Sequence, residues 1–184
     1  MHRKYILDLL SSYIPSREEE LGTLSRFCTF VSENSHCFAR DLKQGHVTGS
    51  AWIIDKTRSY ALFTHHRKLN KWLQLGGHAD GDCDIFAVAL KEAKEESGLQ
   101  NITALSREIF DIDIHLVQDR THGEHYHYDV RFLFEADRTE QLVISHESKE
   151  LKWMPLDEIV HLTTEPSVLR MLNKTKQLFT QKSK

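Results

Sequence analysis

Cysteine is scarce: Cys28, Cys37 and Cys83 are the only three in 184 residues. Their odd number and wide spacing argue against a disulfide framework and supply no close metal-binding pair, so reduced thiols are expected. A surplus of positive charge is also missing. Against 27 Asp and Glu stand 24 Lys and Arg, a formal net charge of -3, which gives no electrostatic case for a general nucleic-acid binder and leaves room for a small phosphorylated partner. No apolar run approaches the roughly 18–20 residues needed to cross a bilayer. The opening "MHRKYILDLLSSYI" carries Asp8 and lacks a small-residue cleavage site, so a cytoplasmic protein with no membrane partner is expected. Internal repeats, low-complexity tracts and long linkers are absent as well, and the length suits one domain of ordinary size. Without a G-x-S-x-G elbow or a P-loop pattern, serine-hydrolase and P-loop nucleotide hydrolase chemistry lack support.

What is present falls into three stretches. Over the first forty residues Tyr5, Ile6, Leu9, Leu10, Tyr13 and Ile14 follow a helical rhythm, Pro15 interrupts it, and Ser16 with Glu19 makes a capping-box pattern ahead of Leu21, Leu24, Phe27, Cys28 and Val31. From His46 the pattern turns to strands: "HVTGSAWIID" and "SYALFTHH" are β-rich, and "KWLQL" leads into Gly76 and Gly77, which are expected to end a strand. Asp84 can cap a helix over residues 85–97 that Gly98 terminates. "FDIDIHLV" and "YHYDVRFLF" alternate as a hairpin across "QDRTHGEH". A short strand at "LVIS", another around Trp153, a helical turn after Pro155 and a final helix from near Thr164 complete the chain, with Val168, Leu172, Thr175 and Phe179 on one stripe.

The helix over 85–97 places Glu92, Glu95 and Glu96 within an arc of roughly 100° on one face. Like charges at this spacing destabilise an isolated helix by a few tenths of a kcal/mol per pair, and Lys91 and Lys94 flank them as on an ordinary charged surface. Context argues for more. Strand, glycine loop and helix follow one another, and a hard divalent cation such as Mg²⁺ takes carboxylate oxygens while keeping water and phosphate ligands. Glycine-rich backbone lets a ligand come close, as phosphate recognition requires.

This segment resembles the Nudix box, the signature of a family that hydrolyses nucleoside diphosphates linked to another moiety. Gly77 opens the pattern, and Glu92, Ala93, Glu95, Glu96, Gly98 and Leu99 satisfy it with unbroken spacing. Two positions depart: Cys83, between Asp82 and Asp84, stands for the first Glu, and Lys91 stands for an Arg. Lys lacks the planar fork that would orient the carboxylates, while Asp82 or Asp84 could take over the supporting role of the missing Glu. The resemblance implies an α/β fold, a Nudix-like α/β/α sandwich with a mixed sheet, with residues 1–45 as a helical N-terminal extension and 46–184 as the catalytic domain. It further implies Mg²⁺ or Mn²⁺ held by Glu92, Glu95, Glu96 and a later acid, for which Glu147 is the candidate and Glu150 the second. One of Glu92, Glu95 or Glu147 would act as general base in attack of water on a small-molecule diphosphate substrate. Gly76, Gly77, His78 and His127 would contact that substrate.

Other residues admit blander readings. His122, His125 and His127 could hold zinc, but no cysteine or second close His pair completes a tetrahedral set, so a place in the substrate pocket or a polar loop is expected. His78 sits beside the box, where a solvated loop position competes with phosphate contact. Cys83 is no nucleophile, because its acidic neighbours oppose thiolate formation. Trp52, Trp72, Tyr126, Tyr128 and Trp153 could stack on a base, although strand spacing favours sheet packing. The helical preface could cover the pocket, form a homodimer interface or cap the sheet edge. Isopentenyl diphosphate isomerases are similar in length and in the "GGHAD" loop, yet Gly76 stands where their catalytic cysteine would be. A Nudix-like domain that binds without hydrolysing is the remaining alternative.

Overall fold

The computed structural model describes residues 2–119, 121 and 123–180. Two helices, α1 (Lys4–Ser12) and α2 (Glu18–Glu33), precede β1 (Gly45–Asp55), β2 (Tyr60–His66), β3 (Trp72–Leu73) and β4 (Leu75–His78). Then come α3 (Ile85–Ser97), β5 (Ile102–Ala104), β6 (Asp111–Asp119), β7 (Gly123–Ala136), β8 (Ser148–Pro155), α4 (Ile159–Leu162) and α5 (Pro166–Thr180). Among the described residues the strands form one mixed sheet whose main path runs β3-β2-β1-β7-β5, with β4 on β1, β6 on β7 and β8 on β2. This is the expected α/β sandwich. The β6–β7 hairpin forms as the alternation predicts, extended by several pairs on each side of the turn.

β1 is the axis. It runs parallel to β7 along its whole length, from Gly45 opposite Tyr126 to Asp55 opposite Ala136. On its other side it pairs with β4 near its start, from Thr48 opposite His78 to Ala51 opposite Leu75, and with β2 only at its end. β4 and β2 thus take successive stretches of β1, and the β1–β4 end, crossed by α3, is the candidate groove. The strand is buried throughout, as suits a central strand covered on both faces. Ala51 and Ile53 join a core with Phe27, Val31, Phe86 and Phe132, under α1, α2 and α3. Trp52 and Ile54 face the opposite way, onto Phe63, Val168 and Leu172 of a second core under α5. There Trp52 Nε1 donates to Thr175 Oγ1 at 2.9 Å, a partner that a buried indole N–H requires.

Three local expectations are corrected. Gly76 and Gly77 lie inside β4, paired with Ser50 and Gly49, rather than ending a strand. "LVIS" forms no strand: the Val143 N–H donates to Ser97 O at 2.8 Å, closing the end of α3 instead of joining the sheet. Ser16 does not build the capping box with Glu19; α2 begins after Arg17 without a side-chain cap, and Ser16 Oγ donates to Glu20 at 2.7 Å. By contrast α3 starts and stops as its sequence dictates. Asp84 accepts from the Ala87 N–H at 3.1 Å, and Gly98 ends the helix in the left-handed conformation at φ 76° that a side chain would strain.

Candidate active site

α3 lies across β1 and β4, and this packing sorts the three glutamates into different surroundings. Glu96 is buried, and its Oε2 accepts the Gly76 N–H at 2.8 Å. Burial pushes its carboxyl up to about 7, helped by the negative charges of Glu147 and Glu92 and opposed by that one hydrogen bond. Glu92 leans over β4, and its carboxyl too is raised by burial, with Lys91 opposing and Glu95 and Glu147 adding to the rise. A Cβ at Gly77 would stand 2.5 Å from the Glu92 carboxylate. Glycine there is what lets the acid rest on the strand. Glu95 stays exposed and pairs with Lys91 Nζ at 3.2 Å; the same ammonium is 3.4 Å from Glu92. Lys91 therefore occupies the bridging place expected of the Arg, as a point charge between two carboxylates.

Glu147 stands in the loop before β8, and its charge acts on this group. Arg67 fixes that loop, its backbone N–H donating to Glu147 O at 2.8 Å and its guanidinium to His146 O and Ser148 O at 3.0 and 2.8 Å. The Glu147 carboxylate is half exposed, and its charge acts on Glu92, Glu96 and His78. Glu150 instead sits on β8 opposite His65. Both acidic neighbours of Cys83 are engaged locally: Asp84 caps α3, and Asp82 accepts the Asp84 N–H at 2.9 Å. Cys83 itself lines a depression of about 610 Å³ with Tyr5, Leu9, Asp84, Arg107 and Glu108, against the N-terminal helix.

His78 leaves the end of β4 within the fields of Glu147 and Asp80 on one side and His125 on the other; burial and Arg40 nevertheless lower its imidazole. His127 is pushed down to about 2 by burial and then by the surrounding histidines His78, His46, His115 and His125. His122 lies outside the described residues. Of the aromatic candidates, Trp52 and Tyr128 are core, Tyr128 stacking on Phe30 at 3.7 Å between ring centroids, and Trp72 stacks on His65 at 5.0 Å. Tyr126 is partly exposed beneath the Arg26 guanidinium.

Sequence reasoning missed three neighbours of the groove. Arg40, from the segment after α2, clamps Asp80 with two bonds of 2.5 and 2.6 Å beside His78. Asp129 of β7 takes Thr48 and Ser50 hydroxyls on one oxygen at 2.9 and 2.8 Å, and Gln74 and Arg131 on the other at 3.3 and 2.7 Å. His46 is buried at the start of β1. No local pattern marks any of them: His46 and Asp129 acquire their places through strand pairing at long range, and Arg40 through its ion pair with the distant Asp80.

Carboxylates stand beside a glycine strand, two of them raised by burial and by neighbouring acids, and offer the oxygen donors a hard divalent cation takes, although among the described residues only His46, His125 and His127 bring three ligand atoms within 4.8 Å of one another. The model of the NUDIX domain matches residues 45–174. No curated protein matches the chain in sequence. Among solved structures, an Ap4A hydrolase of C. elegans in a binary complex superposes with a TM-score of 0.60 at 16% identity, covering 73% of this chain and 98% of that one. A NUDIX-family hydrolase from Clostridium perfringens gives 0.53 at 24% identity, covering 72% and 97%. The NUDIX domain of Shewanella oneidensis NrtR, complexed with ADP ribose, gives 0.51 at 17% identity, covering 71% and 86%. At these identities the likeness speaks for the fold alone. The family match spans most of the chain and includes the whole glutamate helix, and by it the chain belongs to the NUDIX domain family, the Nudix-type pyrophosphohydrolases.

Proposed function

We propose that the protein hydrolyses the diphosphate linkage of a nucleoside-diphosphate-linked or related small molecule, with Mg²⁺ or Mn²⁺ held by Glu92, Glu95, Glu96 and Glu147. The carrying observation is the buried Glu96 carboxylate on the Gly76 N–H, with Glu92 lying on Gly77 and both in the field of Glu147. Mutual repulsion at such a cluster becomes attraction once a cation balances it. The cation, when bound, neutralises charge on the diphosphate and lowers the pKa of a bound water.

The protein's own residues do the rest. Gly76 and Gly77 keep the floor of the groove free of side chains, so a phosphate can approach the backbone. His78 and His127, both lowered by burial, line the groove and offer hydrogen bonds. Glu92, Glu95 or Glu147 takes the proton of the attacking water. Residues 1–45 are an addition to the family fold rather than part of the reacting groove, with Arg40 at its border. Ap4A, for which the C. elegans hydrolase is named, and the ADP ribose of the Shewanella complex set the substrate class to try first.

A panel of diphosphate-linked nucleotides with Mg²⁺ or Mn²⁺ tests this, alongside the Glu95→Gln, Glu96→Gln double variant, with products separated by chromatography. Metal-dependent cleavage that disappears in the variant is expected. Nucleotide binding without turnover across the panel would instead favour a binding domain, a reading that the closing of Lys91 onto Glu92 and Glu95 supports.

A further inference from the structure

Five histidines from four strands meet at one end of the sheet face that carries Thr48, Ser50 and Asp129. His46 and His127 are register partners on the parallel pair β1–β7, and His115 stands opposite His127 on β6. His125 is two residues from His127 and therefore on the same face. His78 pairs with Thr48, two residues beyond His46. Ring centroids are 4.8 Å apart for His46 and His127, 5.0 Å for His46 and His125, and 5.2 Å for His125 and His127. His78 is 5.0 Å from His46 and 5.1 Å from His127.

One nitrogen from each of His46, His125 and His127 lies within 4.8 Å of the others. His125 Nε2 and His127 Nε2 are already 3.3 Å apart. A tetrahedral zinc with Zn–N bonds of about 2.0–2.1 Å places its ligand nitrogens about 3.4 Å from each other. His125 is also preset for ligation. Its Nδ1 lies 3.1 Å from the Gly123 carbonyl, which can only accept, so Nδ1 carries the proton and Nε2 turns its lone pair toward His127. A carbonyl on the far nitrogen is the usual means of fixing a ligating imidazole. Imidazole sets of this kind suit zinc and its neighbours and not Mg²⁺, which takes oxygen.

We propose that His46, His125 and His127 form a binding site for a zinc-class transition metal, distinct from the carboxylates of α3, with a fourth position left for water beside His78. Three protein ligands and an open position are the arrangement of zinc sites that exchange ligands, rather than of closed structural ones. The site ties the start of β1 to β7 at the point where the parallel pair begins. It uses none of the Nudix-box carboxylates but shares His127 with the groove of the hydrolase reading, so zinc affinity, and not turnover, is the readout that tests it.

Full-length protein stripped with chelator and titrated with Zn²⁺ against a chromophoric competitor should bind one ion per chain in the presence of millimolar Mg²⁺. Co²⁺ in its place should give the intense visible absorption of a tetrahedral ion. His125→Ala and His127→Ala should each weaken Zn²⁺ by more than about 10²-fold, beyond what loss of an outer-shell partner costs, while the Glu95→Gln, Glu96→Gln variant keeps wild-type affinity. Absence of stoichiometric binding overturns the proposal, as does binding indifferent to the histidine variants or lost in the glutamate variant. Should the histidine variants not fold, X-ray absorption of the wild-type zinc form decides: three imidazole nitrogens support the site, and an all-oxygen shell overturns it.

Discussion

At the scale of single residues the groove depends on what glycine leaves out. Because a Cβ at Gly77 would lie 2.5 Å from the Glu92 carboxylate, Gly77→Ala should displace that acid by about an ångström without removing any ligand. A displacement of this size can cost about 10²-fold in rate. Steady-state kinetics at saturating metal, beside a thermal melt showing a folded protein, checks it; unchanged turnover would separate Glu92 from the reaction. Glu96 gives the complementary case. A buried carboxyl raised to about 7 is ionised at pH 8 at the expense of folding, by roughly 1–3 kcal/mol. Glu96→Gln keeps an acceptor for the Gly76 N–H and removes the charge. The metal-free variant should therefore melt higher than wild type at pH 8, while losing the rise in Tm that Mg²⁺ gives the wild type.

At the scale of elements, what was legible in the sequence was local. The spacing of Glu92, Glu95 and Glu96, the Asp84 cap and the Gly98 stop lie within one helix, so a 3.6-residue period and two termini sufficed to draw α3 residue for residue. The β6–β7 hairpin was equally plain from alternation. "LVIS" misled because three successive apolar residues, two of them β-branched, carry strand propensity wherever they fall, whereas here the segment closes the end of α3 and leaves Val143 and Ile144 exposed. The pairing of β1 with β7, and with it the approach of His46 to His127, has no local signal at all. Nor has the ion network that joins β6, β7 and α5. Asp111, fully buried, accepts Arg131 Nη1 at 3.0 Å, Arg170 Nε and Nη2 at 2.8 Å each, and Lys174 Nζ at 2.7 Å. Its removal would leave Arg131, Arg170 and Lys174 with only Asp113, Asp129 and Glu20 to balance them, and losing one partner of a buried pair costs about 3–5 kcal/mol. Asp111→Ala should lower unfolding free energy in urea by at least that much; a loss below about 1 kcal/mol would mean that water replaces the carboxylate.

At the scale of the whole molecule, the same network joins the beginning of the chain to its end. Glu20 of α2 is buried, hydrogen-bonded by Tyr13, by Ser16 Oγ at 2.7 Å and by Lys174 Nζ of α5 at 2.7 Å. Ile6, Leu10, Phe27 and Phe30 share one core with Val130 and Phe132 of β7, so the N-terminal helices fold with the sheet rather than beside it. Burial by itself would raise the Glu20 carboxyl, but the hydrogen bonds from Lys174, Tyr13 and Ser16 outweigh it and bring the group down to about 2, from 4.5. A carboxyl depressed by folding stabilises the native state fully above its unfolded value and loses that contribution as pH falls toward its folded one. The window is therefore about pH 4.5 down to about 2, and the contribution is on the order of 3 kcal/mol. Urea denaturation at a series of pH values should show wild type losing stability through this window more steeply than Glu20→Gln, the difference between the two being largest above pH 5 and shrinking with acid. Parallel curves would mean that the Lys174 ammonium, and not the Glu20 carboxylate, secures α2 to α5.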